Sequence, residues 1–367
     1  MRHTKLPLAA AILLAGCASW LAEGEPPGPR SAESDMCLRA SVQMLGQARL
    51  AEADAPDGVP IGGISAITHD QANGGFLVIT DGRGQPGAGR IGRLNIRQAA
   101  GDDFAAEWLG SAELLTATGH PFARPSEGGE VADAEGLRMA ADGALIWSSE
   151  GDAARGQGPG LYRLVRGDWR SHAIPLPAEL VRDPDRRRGP RDNQSLEGLW
   201  IDADDNIWLG IEAPLIEDGP VPDQTTGALT RILRIDRDGV LGETWNYPLD
   251  PVVGKLPGRI ADNGLTEILG LGRRAFLVLE RSGVQQQDGR FSFTSRLYCA
   301  SPSPGSRVLA KRELATFDHS NGWQDANFEG MTFGPALPDG RTMLVLASDN
   351  NFEAGAPSRF AILAFRR

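Results

Sequence analysis

The sequence predicts an all-β chain, a β-propeller of five four-stranded blades with an N-terminal strand closing the last blade. Three observations carry that expectation. Short alternating apolar runs, separated by Gly, Asp, Asn and Pro, fill the chain, and few windows show a helical period. A two-strand module recurs five times along it. The last copy lacks a strand, and a strand without a module of its own stands near the start.

The module is clearest in SLEGLWIDADDNIWLGIEA, where Glu197 precedes one apolar run and Glu212 follows the next across a turn at Asp202-Ala-Asp-Asp-Asn206. Ala134-Glu135-Gly136-Leu137 leads in the same way to Glu150, and Phe328-Glu329-Gly330-Met331 to Asp349. Two weaker copies start at Ile64-Ser65-Ala66-Ile67, ending at Asp81, and at Leu265-Thr266-Glu267-Ile268, ending at Glu280. The aligned positions 65, 135, 197, 266 and 329 are 70, 62, 69 and 63 residues apart. After each copy comes a Gly/Pro-rich loop and a third strand: RIGRLNI, GLYRLVR, TRILRID, SRLYCAS and RFAILAF. A fourth strand follows in four copies, as FAAEWLGS, WRSHAIPL, GETWNYPL and RVLAKREL. Four antiparallel strands per repeat, arranged around an axis, make a propeller. Residues 38–50 supply the strand that the fifth module lacks, and their pairing removes an open sheet edge. Six blades, with one degenerate copy in the loops, is the alternative.

In this topology the long loops, the start of each innermost strand and the end of the second share one face. The acids therefore gather at the mouth of the central channel. Asp81, Glu150, Glu212, Glu280 and Asp349, which end the second strands, are the candidate metal ligands; oxygen donors in such numbers suit a hard divalent cation. Glu135, Glu197 and Glu329, together with Arg83, Arg191 and Arg281 from the loops, are the candidates for catalysis or for holding an anion. Crowded carboxylates raise one another's pKa unless a cation, an arginine or backbone amides offset them. The Glu-Gly heads also admit an architectural role, locking each blade to its neighbour. His120 and His319 lie in loops of the same face but lack metal-ligand spacing, and no G-x-S-x-G elbow is present. The Asp202–Asn206 acids read as turn residues. The charged run at 182–191 (RDPDRRRGPR) is a solvated loop or a phosphate contact.

The N-terminus reads as an export signal. Arg2 and Lys5 precede an apolar stretch, Leu6 to Leu14, and Leu14-Ala15-Gly16-Cys17 resembles the lipobox of bacterial lipoproteins. The expected organisation is a lipoprotein signal peptide at 1–16, lipidation at Cys17, a flexible tether at 17–36 and a single propeller domain at 37–367. A periplasmic location is expected, with the membrane as partner through the lipid; by resemblance to bacterial lipoproteins, Ala18 after the cysteine, rather than Asp, favours the outer membrane if the cell is Gram-negative. The chain carries 48 acidic and 37 basic residues. That balance argues against nucleic acid and suits cations or cation-bridged anions; a monomer is expected. Cys37 and Cys299 are either a disulfide, which the periplasm permits, or two partly buried thiols.

The heads GGISAI, AEGL, LEGL and FEGM, with the strand ends FLVITDGRG, WLGIEA and VLERSG, resemble the phytase-like (esterase-like) β-propeller family of bacterial secreted proteins and lipoproteins, over roughly residues 60–365. The resemblance implies a propeller and, by analogy to β-propeller phytases, a calcium-dependent phosphomonoester hydrolysis site on an acidic face. The sequence lacks the dense Lys/Arg cluster that would grip a highly phosphorylated inositol, which argues against phytate. The expected function is a metal-dependent hydrolase of small phosphoesters or carboxylic esters. The alternative is a non-catalytic envelope propeller that binds a protein or glycan.

Overall fold

The computed structural model describes residues 32–50, 56, 58–81, 89–99, 103–123, 127–353 and 355–367. The expected signal peptide, Cys17 and Arg83 lie outside the described residues. Ala32–Arg39 forms helix α1, with Glu33 and Asp35 in its first turn and Arg39 in its last, charges that complement the helix dipole. Residues 32–36, expected as part of a flexible tether, are helical instead. Cys37 on α1 is disulfide-bonded to Cys299, and the Arg312 guanidinium donates to the carbonyls of Cys37 and Ala40. Such anchoring makes Ala32–Met36 part of the fold.

Strand β1 (Ser41–Leu50) follows. The first blade holds β2 (Ile64–His69), β3 (Phe76–Thr80), β4 (Arg90–Gln98) and β5 (Phe104–Glu113). The second holds β6 (Ala134–Met139), β7 (Leu145–Ser149), β8 (Gly160–Leu164) and β9 (Ser171–Ile174). The third holds β10 (Leu196–Ile201), β11 (Ile207–Ile211), β12 (Ala228–Ile235) and β13 (Leu241–Leu249). The fourth holds β14 (Ala261–Gly270), β15 (Phe276–Gln285), β16 (Phe291–Pro302) and β17 (Leu309–Phe317). The fifth holds β18 (Asn327–Ala336), β19 (Thr342–Asp349) and β20 (Ser358–Arg366), and β1 completes it. β1 pairs antiparallel with β20 from Ser41↔Arg366 to Leu50↔Ser358. The innermost strands β2, β6, β10, β14 and β18 contact one another in a closed ring. The molecule is a five-bladed β-propeller.

Burial explains the strand sequences. β3, β7 and β11 lie between neighbouring blades and are buried along their whole length, so FLVIT, LIWSS and IWLGI are near-continuously apolar. The outermost strands face solvent on one side and alternate, as in β13, where Trp245, Tyr247 and Leu249 are buried. Each of the five blade interfaces has its own apolar core.

The centre of the ring is pinned by a buried ion pair between Arg138 and Glu267, 2.7 Å apart. Arg138 donates to the carbonyls of Ile67, Leu137, Ile268 and Met331. Glu267 accepts from the amides of Leu199 and Ile268. Those backbone groups come from the innermost strand of every blade.

Candidate functional site

In every blade the innermost strand breaks register with its neighbour at the same place. The breaks fall between Ile64/Ala66, Ala134/Leu137, Leu196/Gly198, Leu265/Glu267 and Phe328/Gly330. Each is a β-bulge, a device that re-aims a side chain, and the residues at the bulges are Ser65, Glu135, Glu197, Thr266 and Glu329. The glycine after the glutamate serves the architecture. A Cβ on Gly136 would stand 2.7 Å from the Leu199 Cβ, and one on Gly330 3.0 Å from the Ala66 Cα, in each case on the next blade. The Glu-Gly pair thus divides its duties: glycine lets the blades close up and glutamate turns into the channel.

The second strand of each blade returns to the same level. The amides of Asp81, Glu150 and Glu212 donate to the carbonyls of Gly63, Asp133 and Ser195 at 2.7, 2.9 and 2.8 Å. Asp349 pairs with Asn327 and Arg281 with Gly264. These partners all lie two residues before a bulge, so the equivalent positions are Asp81, Glu150, Glu212, Arg281 and Asp349.

The expectation for Glu280 is corrected by one residue. Glu280 precedes the ring position, and adjacent strand residues face opposite sides. Its carboxylate leaves the channel for the seam between the third and fourth blades. There it accepts from the Tyr247 hydroxyl (2.7 Å), Asn263 Nδ2 (3.0 Å) and the Asp250 amide (3.0 Å), and pairs with Lys311. Arg281 takes the place in the ring, with Asp262 at 3.1 Å, Glu212 at 3.4 Å and Glu329 at 3.6 Å. A count from Phe76 and from Phe276 already sets Asp81 against Arg281.

The resulting cavity, about 830 Å³, opens on the loop face. Eleven acidic residues and three arginines line it among the described residues. Arg359 is paired with Asp325, and Arg290 stands 3.9 Å from Glu353. Of the nine inner carboxylates, those of Glu212, Asp262 and Glu329 pair with Arg281 among the described residues. Asp133 and Asp262 are two of the nine that sequence reasoning missed. Asp133 carries a readable signal, since it stands two residues before a bulge glutamate, as Asn327 does in the fifth blade. Arg191 lies aside and donates to the carbonyls of Pro214 (2.8 Å) and Gly219 (2.6 Å) in the third blade.

Two carboxylate triads are tight enough to share an ion: Asp81, Asp133 and Glu135, and Glu135, Glu150 and Glu197, each with oxygens within 4.8 Å of one another. Two unit charges at that spacing repel by roughly 3 kcal/mol at an effective dielectric near 20. Ionisation is accordingly disfavoured where burial and like charge combine. Burial first, then neighbouring carboxylates, push Asp81, Glu135 and Glu197 well above the usual range. Burial raises Glu212 likewise, against the pull of Arg281. Burial and Asp349 push Glu329 up to about 8. Burial carries Asp349 up to about 6 against hydrogen bonds from backbone amides and the charge of Arg281. Desolvation alone would lower the Arg281 pKa, but Asp262, Glu212 and Glu329 outweigh it and raise it.

A hard cation fits this donor set, which is oxygen throughout. Asn327 adds an independent sign. It is 5 % exposed and lines the cavity, its Nδ2 donates to Glu329 Oε1 at 2.7 Å, and its buried Oδ1 has no hydrogen-bond donor among the described residues.

Comparison with known proteins adds the following. A family model described as "Phytase-like: Esterase-like activity of phytase" matches residues 59–352. No curated protein matches the chain. Among solved structures, an α-L-arabinanase from Penicillium chrysogenum complexed with arabinobiose is similar at 10% identity and a TM-score of 0.43, over 88% of this chain and 98% of that one. An endo-arabinase from Bacteroides thetaiotaomicron is similar at 12% identity and a TM-score of 0.44, over 85% and 96%. A mannose phosphorylase from Leishmania mexicana, in complex with phosphate ion, is similar at 9% identity and a TM-score of 0.43, over 87% and 88%. At these scores none of them carries an argument about substrate.

Proposed function

The chain belongs to the phytase-like family described by esterase-like activity of phytase, and on that premise we propose that it is a divalent-cation-dependent hydrolase of phosphoesters or carboxylic esters, working at the acidic mouth of the propeller channel. The observation that supports this most is the pair of carboxylate triads sharing Glu135. In this reading Asp81, Asp133, Glu135, Glu150 and Glu197 hold the cation, and Ca²⁺ suits their hard oxygen donors. A bound divalent cation supplies polarisation of the ester oxygen and a bound water of lowered pKa. The chain itself supplies the rest. Backbone hydrogen bonds at the strand ends fix the carboxylates, the closed ring of blades sets their spacing, and Arg281 holds the far wall. Asn327 offers a neutral oxygen beside Glu329. The proposal includes export and anchoring by a lipid on Cys17, in the periplasm.

The pairing of Glu212 with Arg281, and of Glu280 with Lys311, favours a second reading in part, a non-catalytic module whose acids are structural. Calorimetric titration with Ca²⁺, alongside turnover of p-nitrophenyl phosphate and acetate with and without EDTA, separates the two. Glu135→Gln should weaken Ca²⁺ by about tenfold or more, because a charged ligand is lost. Glu280→Gln should leave Ca²⁺ affinity within about threefold, because that carboxylate lies off the ring. Equal effects of the two substitutions, or no calcium heat in the wild type, would refute the cation reading.

A further inference from the structure

Blade 4 departs from the others on the loop face. β15 and β16 stay paired up to Gln285↔Phe291, whereas β3, β7 and β11 stop at Thr80, Ser149 and Ile211. The extra length, Ser282–Gln285 with Phe291–Thr294, is a raised hairpin at the cavity wall. Residues directly opposite each other on paired strands share a face. Arg281 opposes Ser295, Gly283 opposes Phe293 and Gln285 opposes Phe291. Arg281 points into the cavity, so Phe293 and Phe291 stand above it on the same side, and both line the cavity.

The two rings form an ordered surface. Their planes differ by 19° and their centroids lie 6.3 Å apart. Gly283 makes room for them, since a Cβ there would meet the Phe293 ring at 3.3 Å. The hairpin is held on both edges: the Phe293 amide donates to Gln324 O at 2.8 Å, and the Gln285 amide to Ile260 O at 2.9 Å. Phe291 is 41 % exposed and belongs to none of the five interblade cores. A phenyl surface above a charged floor, outside the interblade cores and with Arg290 at its tip, is complementary to a ligand with a charged head and a flat apolar body.

We infer that Phe291 and Phe293 are the specificity platform of the site, taking the ring of a ring-bearing organic phosphate while the phosphate reaches the cation and Arg281 below. This rests on the cation-dependent site proposed above. The flat group is an arene or the apolar face of a sugar, since both stack on a phenyl ring.

The test is equilibrium calorimetry on the full-length protein in the presence of Ca²⁺, with phenylphosphonate, glucose 6-phosphate and methylphosphonate as probes. At least one ring-bearing probe should bind about three- to tenfold more tightly than methylphosphonate, the worth of one aromatic contact. That advantage should disappear in Phe291→Ala and Phe293→Ala, while methylphosphonate affinity and Ca²⁺ affinity stay unchanged. The probe whose advantage is lost identifies arene or sugar. Equal affinity for all three probes, a ring preference that survives both substitutions, or no binding of any probe to the calcium-loaded protein overturns the platform. Loss of the calcium heat itself would instead sink the cation site, so the two failures are distinguishable. Unchanged unfolding midpoints confirm that the variants fold.

Discussion

Replacing Arg138 by Met tests how the ring of blades is held. Arg138 and Glu267 are 3 % and 1 % exposed, and between them they reach backbone groups of all five innermost strands. Removal of the guanidinium leaves Glu267 buried without its counter-ion. Breaking a buried pair from one side costs about 3–5 kcal/mol, whereas replacing both partners by apolar side chains is close to neutral. For a chain of this size that cost is a fall of roughly 5–10 °C in unfolding temperature. Its pH dependence is defined by Glu267, which burial pushes up to about 7 in spite of Arg138. A folded-state pKa raised above the unfolded value means that stability is fully present below the unfolded pKa and is lost as pH rises through the folded one. Without Arg138 that pKa climbs further, so the deficit of the variant opens above pH 7. Urea unfolding followed by tryptophan fluorescence at pH 6 and pH 8.5 measures it. The expected result is a larger deficit at pH 8.5 and substantial recovery in the Arg138→Met/Glu267→Met double variant. A loss under about 1 kcal/mol at pH 8.5, or a double variant no more stable than the single one, would refute a pinning role.

Calcium should compete with protons. Asp81, Glu135, Glu197 and Glu212 have raised folded-state pKa values, as do Asp349, at about 6, and Glu329, at about 8. The cation-free protein therefore loses stability as pH rises through that window, and a cation replaces the departing protons. The Ca²⁺-induced rise in unfolding temperature should be greater at pH 8 than at pH 5.5, with proton release visible in buffers of different ionisation enthalpy; the opposite pH order would sink the idea. The Cys37–Cys299 disulfide spans 262 residues of sequence and couples α1 to the fourth blade. On the chain-entropy account its removal costs about 5 kcal/mol. A Cys37→Ser/Cys299→Ser variant should unfold at clearly lower urea, and an unchanged midpoint would show that β1 docks without it.

Much of the architecture was legible. The period of the five module heads, three of them Glu-Gly, counted the blades, and residues 38–50 matched the strand missing from the fifth. Both are local patterns with a fivefold check on each reading. The site was legible only in part. Glu135, Glu150, Glu197, Glu212, Glu329, Asp81 and Asp349 line the cavity as expected from their places at strand ends. Glu280 failed because a slip of one residue in a β-strand exchanges its faces. The ring position belongs to Arg281, five residues after Phe276 as Asp81 is five after Phe76.

The amino-acid sequence by itself determined the repeat, the strand alternation and the gathering of acids at one end of the blades, because each depends on residues close in the chain. Tertiary structure alone decided the rest. The Arg138–Glu267 pin joins positions 129 residues apart. Glu280 and Lys311 meet at a blade seam, and Phe291 rises over a cavity floored by other blades. Such contacts depend on circular closure, where partners meet across an axis rather than along a strand, and no local pattern records which side chains share that axis.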